Sequence, residues 1–402
     1  MYSMFTNKTP KIIRFLSFLS PVWGSSQRFN VLVFQGKSYK KKEGDNMHMA
    51  DALLHPAVAG TMYGATGAAL VYSIATLKKD DQEPAKLPTM AVASALVFAG
   101  QMINYTIPGT GSSGHICGGF LLAALLGPRA AFMCMSVILG IQCFFFADGG
   151  ILALGANIWN MAFYGCFVGY YVFWRPIMRS KLFKNMSIGG RARSKIWLAC
   201  LIGCVVTLQM GAFSVVIETL ISGITELPFG IFVGLMQPIH LAIGAIEGGV
   251  TAAVLTFLYQ TRPEMLREHL YLTSELGTVQ EEHKSRFPFG GAIIVLAISV
   301  AAIAGGFSLL ASTHPDGLEW AIGNIENAED KLEEKGGDGP YEAVGVAQEK
   351  TSFLPDYAFK NDDENPAGTT VSGLVGAGIV AGIVAIVVFL ARLGKRKRTT
   401  TS

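Results

Sequence analysis

Apolar residues dominate nine stretches of the chain, and polar or Gly/Pro-rich breaks separate them. Eight runs come near the roughly 20 residues that a helix needs to cross hydrocarbon. They fall at 52–77, 88–105, 130–147, 152–174, 196–222, 232–259, 288–312 and 371–391. A shorter run at 115–127 follows the Gly/Ser segment Gly109–Gly114 and ends at Gly127-Pro128-Arg129. The pattern predicts an all-α polytopic membrane protein with about nine transmembrane helices.

Cations then set the sides of the membrane, because short cytoplasmic loops are enriched in Lys and Arg. Lys78, Lys79 and Lys86 follow the first run, and seven cations with no acid lie between Arg175 and Lys195. Arg262, Arg267, Lys284 and Arg286 precede the eighth run, and Lys395-Arg396-Lys397-Arg398 follows the last. Nine spans put four, two and two crossings between consecutive clusters, so all four clusters share the cytoplasm. The segment 313–370 holds 14 acids against 4 Lys and becomes an extracytoplasmic acidic loop, best described as solvated. The predicted orientation is N-out and C-in.

Composition agrees. The 402 residues are 51% hydrophobic and only 15% charged, with a mean hydropathy of +0.41. A soluble domain carries about 25% charged residues. The net charge of +3 would suggest a nucleic-acid partner, but it is unevenly spread. Residues 1–46 hold 8 Lys and Arg against 2 acids, whereas 47–402 holds 24 against 27. No nucleic-acid partner is expected. Eight cations ahead of a first span that starts outside contradict the orientation. The segment 1–46 is therefore expected to be a misassigned N-terminal extension. Lys42-Glu43-Gly44 can be encoded by a ribosome-binding purine run just before the Met47 codon. A signal peptide is the alternative, though its apolar core Phe15–Trp23 is short and interrupted.

A chain begun at Met47 reads Met47-His48-Met49-Ala50-Asp51. Its α-amine, the His48 backbone nitrogen and one imidazole nitrogen can close two fused chelate rings on one metal. The amine has a pKa of about 8 and yields its lone pair readily. An amide nitrogen gives up its proton only to a strongly binding ion such as Ni²⁺ or Cu²⁺. His115, at the predicted start of the third span and on the same outer side, is the natural fourth ligand. Ser112 or Ser113 could orient its ring. Taken singly, a His at a helix end is usually an interfacial residue, and a His after an internal Met carries no signal. Their convergence on one membrane face is the argument for a metal.

Other features are less specific. His240 and Glu247 lie seven apart on one helical face, either as an intramembrane functional pair or simply paired with each other or a neighbouring helix. Asn157 and Asn160 can bond across helices or pin a metal-loop segment. His55 could be a capture ligand or an interfacial residue. The six Cys all fall in predicted spans and read as packing residues. Gly60, Gly64 and Ala68 form a small-residue ridge in the first span, a helix-docking face, and Gly378 and Gly382 repeat the pattern in the last. No phosphate-binding G-x-x-x-x-G-K-[ST] loop occurs, so any ATP hydrolysis belongs to another subunit.

At these motifs the sequence resembles the CbiM/NikM family, the substrate-capture components of energy-coupling-factor transporters for cobalt and nickel. The resemblance rests on Met47-His48-Met49-Ala50-Asp51, the Gly-Ser-Ser-Gly-His115 loop, Gly127-Pro128, Asp148-Gly149-Gly150, Leu154–Met161 and His240–Thr251. Residues 315–320, Pro-Asp-Gly-Leu-Glu-Trp, and Pro355-Asp356-Tyr357 resemble the CbiN-like PDGLE domain. The implied organisation is a seven-helix metal-capture domain at 47–260, a cytoplasmic linker at 261–287, and a two-helix PDGLE domain at 288–402.

The resemblance also implies a site made by the Met47 amine, His48 and His115. It implies two kinds of partner, a membrane-embedded coupling (T) subunit and cytoplasmic ATPases. The expected protein is a transporter subunit, not an enzyme, in a bacterial or archaeal inner membrane. Ni²⁺ or Co²⁺ is its transported substrate, and no organic cofactor is expected. Two other classes compete: a membrane metal sensor or assembly protein, and an intramembrane metalloenzyme using His240 and Glu247.

Overall fold

Helices follow wherever the sequence offers long apolar runs, since in lipid each backbone amide must find its partner within the segment. The computed structural model describes residues 48–77, 87–224, 227–271, 289–325, 328–337, 339–360, 362 and 365–399. Among these, α1 (Pro56–Thr76) and α2 (Leu87–Gln101) come first, followed by a hairpin of β1 (Tyr105–Ile107) and β2 (Ser112–Gly114). Then come α3 (Gly119–Leu126) and α4 (Pro128–Phe146). A continuous helical stretch follows, made of α5 (Leu154–Ile158), a π-helix (Trp159–Trp174) and α6 (Arg175–Arg179). The long helices α7 (Ile188–Ser222) and α8 (Phe229–Thr261) lead to the short α9 (Pro263–Leu270). The C-terminal part contributes α10 (Phe289–Gly305), α11 (Gly317–Gly323), α12 (Ala328–Gly336), α13 (Pro340–Thr351) and α14 (Pro366–Thr399).

Each of the nine apolar runs coincides with a helix. Five helices among the described residues are long and apolar enough to cross a bilayer: α1, α4, α7, α8 and the Pro366–Leu390 part of α14. At 1.5 Å per residue, α7 runs roughly 50 Å and exceeds the hydrocarbon thickness. The chain is a mostly helical, multi-pass membrane protein. The residues 1–47, with Met47 among them, lie outside the described residues, as do Lys78, Lys79, Lys86, Lys284 and Arg286 of the charge clusters.

Three expectations need correction. The hairpin pairs Tyr105 with Gly114, Thr106 with Ser113 and Ile107 with Ser112 in a chain expected to be all helix. The third helix starts at Gly119, so His115 and Cys117 sit in a loop before it instead of inside a span. The acidic segment 313–370 is a folded cap carrying α11, α12 and α13, with Leu318, Ala321 and Tyr341 buried. Charge counting could not reveal that. Its helices are short, and their apolar positions are too few to register as runs.

Small residues also act elsewhere than expected. A Cβ at Gly60, Gly64, Gly378 or Gly382 would meet nothing within 4 Å, so neither ridge packs against another described part of the chain. The close helix contact is at Gly244 and Gly248 of α8, where a Cβ would lie 2.9 Å from the Cα atoms of Val205 and Leu201 in α7. That pair joins α7 and α8 into a close helical hairpin.

Candidate metal-binding site

The first described residues run through the interior. Met49, Leu53 and Leu54 are almost wholly buried, which makes 48–54 a plug and not a tail. Asn157 in α5 pins this plug with both ends of its amide. Its Oδ1 accepts from Met49 N, and its Nδ2 donates to Met49 O, each at 3.1 Å. Of the two roles open to Asn157, it takes the pinning one. Asp51 Oδ1 accepts from Ala153 N at 3.0 Å, and Gly150 N donates to Met49 O at 3.1 Å.

The loop Asp148-Gly149-Gly150 can receive the plug only because it has no side chains there. A Cβ at Gly149, whose φ is +82°, would stand 2.7 Å from His48 Cβ, and one at Gly150 would collide with Asp51. Such a positive φ is readily adopted by glycine alone.

His48 is buried and directed at Asp148. Its Nδ1–H donates to Asp148 Oδ1 at 2.7 Å, while Nε2 is buried without a hydrogen-bond partner. The other carboxylate oxygen, Oδ2, accepts from Tyr357 Oη at 2.6 Å. Burial opposes charge on His48, but the Asp148 carboxylate and its hydrogen bond overcome this and lift its pKa above the ordinary 6.5. Burial likewise works against the Asp148 carboxylate, yet His48 and the donated hydrogen bonds hold its pKa below the usual range.

His115 stands opposite, its ring centroid 5.6 Å from that of His48 and the rings inclined by 66°. The loop that carries it is fixed by α8. Glu247, 1% exposed, accepts from Cys117 N at 2.8 Å through Oε2 and from Gly118 N at 2.9 Å through Oε1. A carboxylate at the start of α3 also complements the positive end of the helix dipole. Gln101 Nε2 donates to Cys117 O at 2.8 Å, and Gln142 Nε2 donates to Gln101 Oε1 at 3.0 Å.

Between the imidazoles and α8 lies a cavity of about 100 Å³, room for an ion with part of its water shell. His48, His115, Asn160, His240, Glu247 and Asp316 are among its lining residues. His240 and Glu247 share this wall but do not bond to each other, because His240 Nδ1 donates to Met236 O at 2.8 Å. Ser112 and Ser113 do not orient His115. The Ser113 hydroxyl donates to His314 O at 2.8 Å, and Ser113 N donates to Pro315 O at 2.7 Å. Ser112 Oγ approaches the carbonyls of Ser113 and Pro315. The two serines thus fasten the PDGLE segment over the site.

His55 is exposed and caps α1, accepting from Ala57 N at 3.2 Å. All six cysteines are free thiols, and five are buried. Among the described residues, no three His, Cys, Asp or Glu side chains group as a metal site.

Sequence reasoning missed four contributors. Asp316 both lines the cavity and caps α11, its Oδ1 accepting from Leu318 N and Glu319 N. Burial pushes its carboxyl above the usual range. Asp148 and Tyr357 were visible only as parts of motifs. Glu218, buried in α7, accepts from Asn160 Nδ2 at 2.8 Å, and a lone acid in an apolar span was the available signal.

Membrane helices thus wall in a chamber of this size, with two histidines facing across it. The chain belongs to the CbiM family: the model of a cobalt uptake substrate-specific transmembrane region matches residues 48–265. A PDGLE domain matches residues 290–393. The chain is 34% identical to the putative fused nickel transport protein NikMN of Archaeoglobus fulgidus, over 83% of this chain and 95% of the relative. It is 30% identical to the fused nickel transport protein NikMN of Rhodobacter capsulatus, over 84% and 96% respectively. The cobalt transport protein CbiM of Sorangium cellulosum is 28% identical over 47% of this chain and 80% of its own length.

Proposed function

We propose that the chain is the substrate-capture component of an energy-coupling-factor transporter that imports Ni²⁺ or Co²⁺. The carrying observation is the pair of facing imidazoles, His48 and His115, over a small chamber. Met47 supplies its amine where it begins the mature chain, His48 its main-chain and one imidazole nitrogen, and His115 the fourth nitrogen. A planar set of four nitrogens favours Ni²⁺.

The chelate ring that includes the His48 main-chain nitrogen closes with six atoms only through Nδ1. Asp148 holds that nitrogen. Capture is then an exchange, in which the ion takes Nδ1 and the carboxylate lets go. A coupling subunit and cytoplasmic ATPases would supply the energy, with Gly60, Gly64 and the exposed Ala68 offering a docking face unfilled by the described residues. In the metalloenzyme reading Glu247 is already committed to the fold, since both its oxygens are engaged by main-chain amides. The site faces the extracytoplasmic side, with the chain N-out and C-in.

Calorimetric titration with Ni²⁺ tests the reading. His115→Ala is expected to abolish tight binding, and retained wild-type affinity would sink the four-nitrogen site. A metal also needs an unprotonated imidazole. Because His48 holds its proton to higher pH than an ordinary histidine, affinity is expected to be weak below pH 6.5 and to climb as pH rises through the lifted value. Protons should be released on binding. Affinity that stays flat from about pH 6 to 8 would remove His48 from the ligand set.

A further inference from the structure

Asp148 stands between the two halves of the chain. One oxygen serves His48 at 2.7 Å, and the other serves Tyr357, 209 positions away, at 2.6 Å. All three side chains are buried: His48 is 4% exposed, Asp148 3% and Tyr357 7%. The Tyr357 hydroxyl reaches the carboxylate on an unusual backbone. Asp356 and Tyr357 have φ of +50° and +60°, a region that residues with side chains avoid unless surrounding structure enforces it. The ring stacks on Phe146 with centroids 4.8 Å apart and planes 17° from parallel. Gln348 of the same domain donates to Gly149 O at 2.7 Å and so fixes the loop beside Asp148. Phenylalanine would make the same stack, so the hydroxyl serves the carboxylate and not the packing.

When an ion takes Nδ1 from Asp148, the carboxylate loses one donor. A buried carboxylate without donors is costly. The Tyr357 hydroxyl is a donor that stays with it. We propose that Tyr357 is a positioning residue for metal capture, holding the Asp148 carboxylate in place as His48 exchanges that carboxylate for the ion. A residue of the PDGLE domain thereby sets how readily a ligand of the CbiM domain becomes available. This rests on the proposed capture site, in which His48 is a ligand. Tyr357 touches neither the ion nor its ligands.

The test is Ni²⁺ titration of the full protein, purified as the cell makes it, by calorimetry and by the Ni(II) absorption band. Tyr357→Phe is expected to weaken binding about 10- to 100-fold, the usual cost of losing an outer partner of a metal site. The absorption band of the loaded protein should stay in place, because the ligands are the same. In an Asp148→Asn background the partner is neutral, so Tyr357→Phe should add nothing further. Wild-type affinity in Tyr357→Phe, or an undiminished loss on top of Asp148→Asn, overturns the inference. His115→Ala separates the two levels. If that variant binds as wild type, the capture site itself is refuted. If it loses binding while Tyr357→Phe does not, only the role of Tyr357 falls.

Discussion

A chain cut to begin at Met47 is expected to bind Ni²⁺ far more tightly than the same chain begun at Met1. With residue 46 attached, the nitrogen of Met47 is a peptide amide with no basic lone pair. The free amine, by contrast, has a pKa of about 8 and competes well for a divalent ion. Loss of an outer partner costs 10- to 100-fold in affinity, so loss of a direct ligand and its chelate ring should exceed roughly 100-fold. The two forms also differ in proton balance. Binding to the shorter chain displaces the amine and amide protons and should become steeper with pH. Parallel calorimetry of both forms checks this, and equal affinities would exclude the amine from the site.

Glu247→Ala carries the second large effect, although the residue is expected to leave the metal untouched. Its removal strands the buried amides of Cys117 and Gly118, each costing about 1–3 kcal/mol when left unsatisfied. A loss of roughly 2–5 kcal/mol should appear in thermal unfolding, and a weakened His115 loop should lower metal affinity as well. Glu247→Gln keeps an oxygen for one amide and should lose about half as much. If Glu247→Ala melts as wild type, the carboxylate is not the anchor of the loop.

Legibility in the sequence followed the reach of each constraint. Hydrocarbon demands about 20 apolar residues in a row, and that demand is local, so the five described helices long enough to cross it were visible as runs. His48 and His115 stood out only through their expected convergence on one membrane face, and the structure places their rings side by side. Asp148, Tyr357 and Asp316 did not stand out. The roles of Asp148 and Tyr357 come from contacts across 100 to 209 positions of chain, which no local pattern encodes. The serines misled for the same reason: hydroxyls near a histidine look like its partners until the Pro315 carbonyl arrives to take them. The ridges at Gly60 and Gly244 show the limit most plainly. Both read as small residues four apart, yet Gly244 meets α7 and Gly60 meets nothing described within the chain. Spacing specifies that a helix can be approached, and only the partner decides whether it is.

The PDGLE cap has a consequence for biosynthesis. The plug at 48–54 precedes by far in the chain Tyr341, whose hydroxyl fastens it. Tyr341 reaches Leu54 across 287 positions, so that contact can form only after most of the chain has been synthesised. Contacts of such separation form late in folding. A growing chain therefore cannot fasten Tyr341 to the plug until residue 341 has been added.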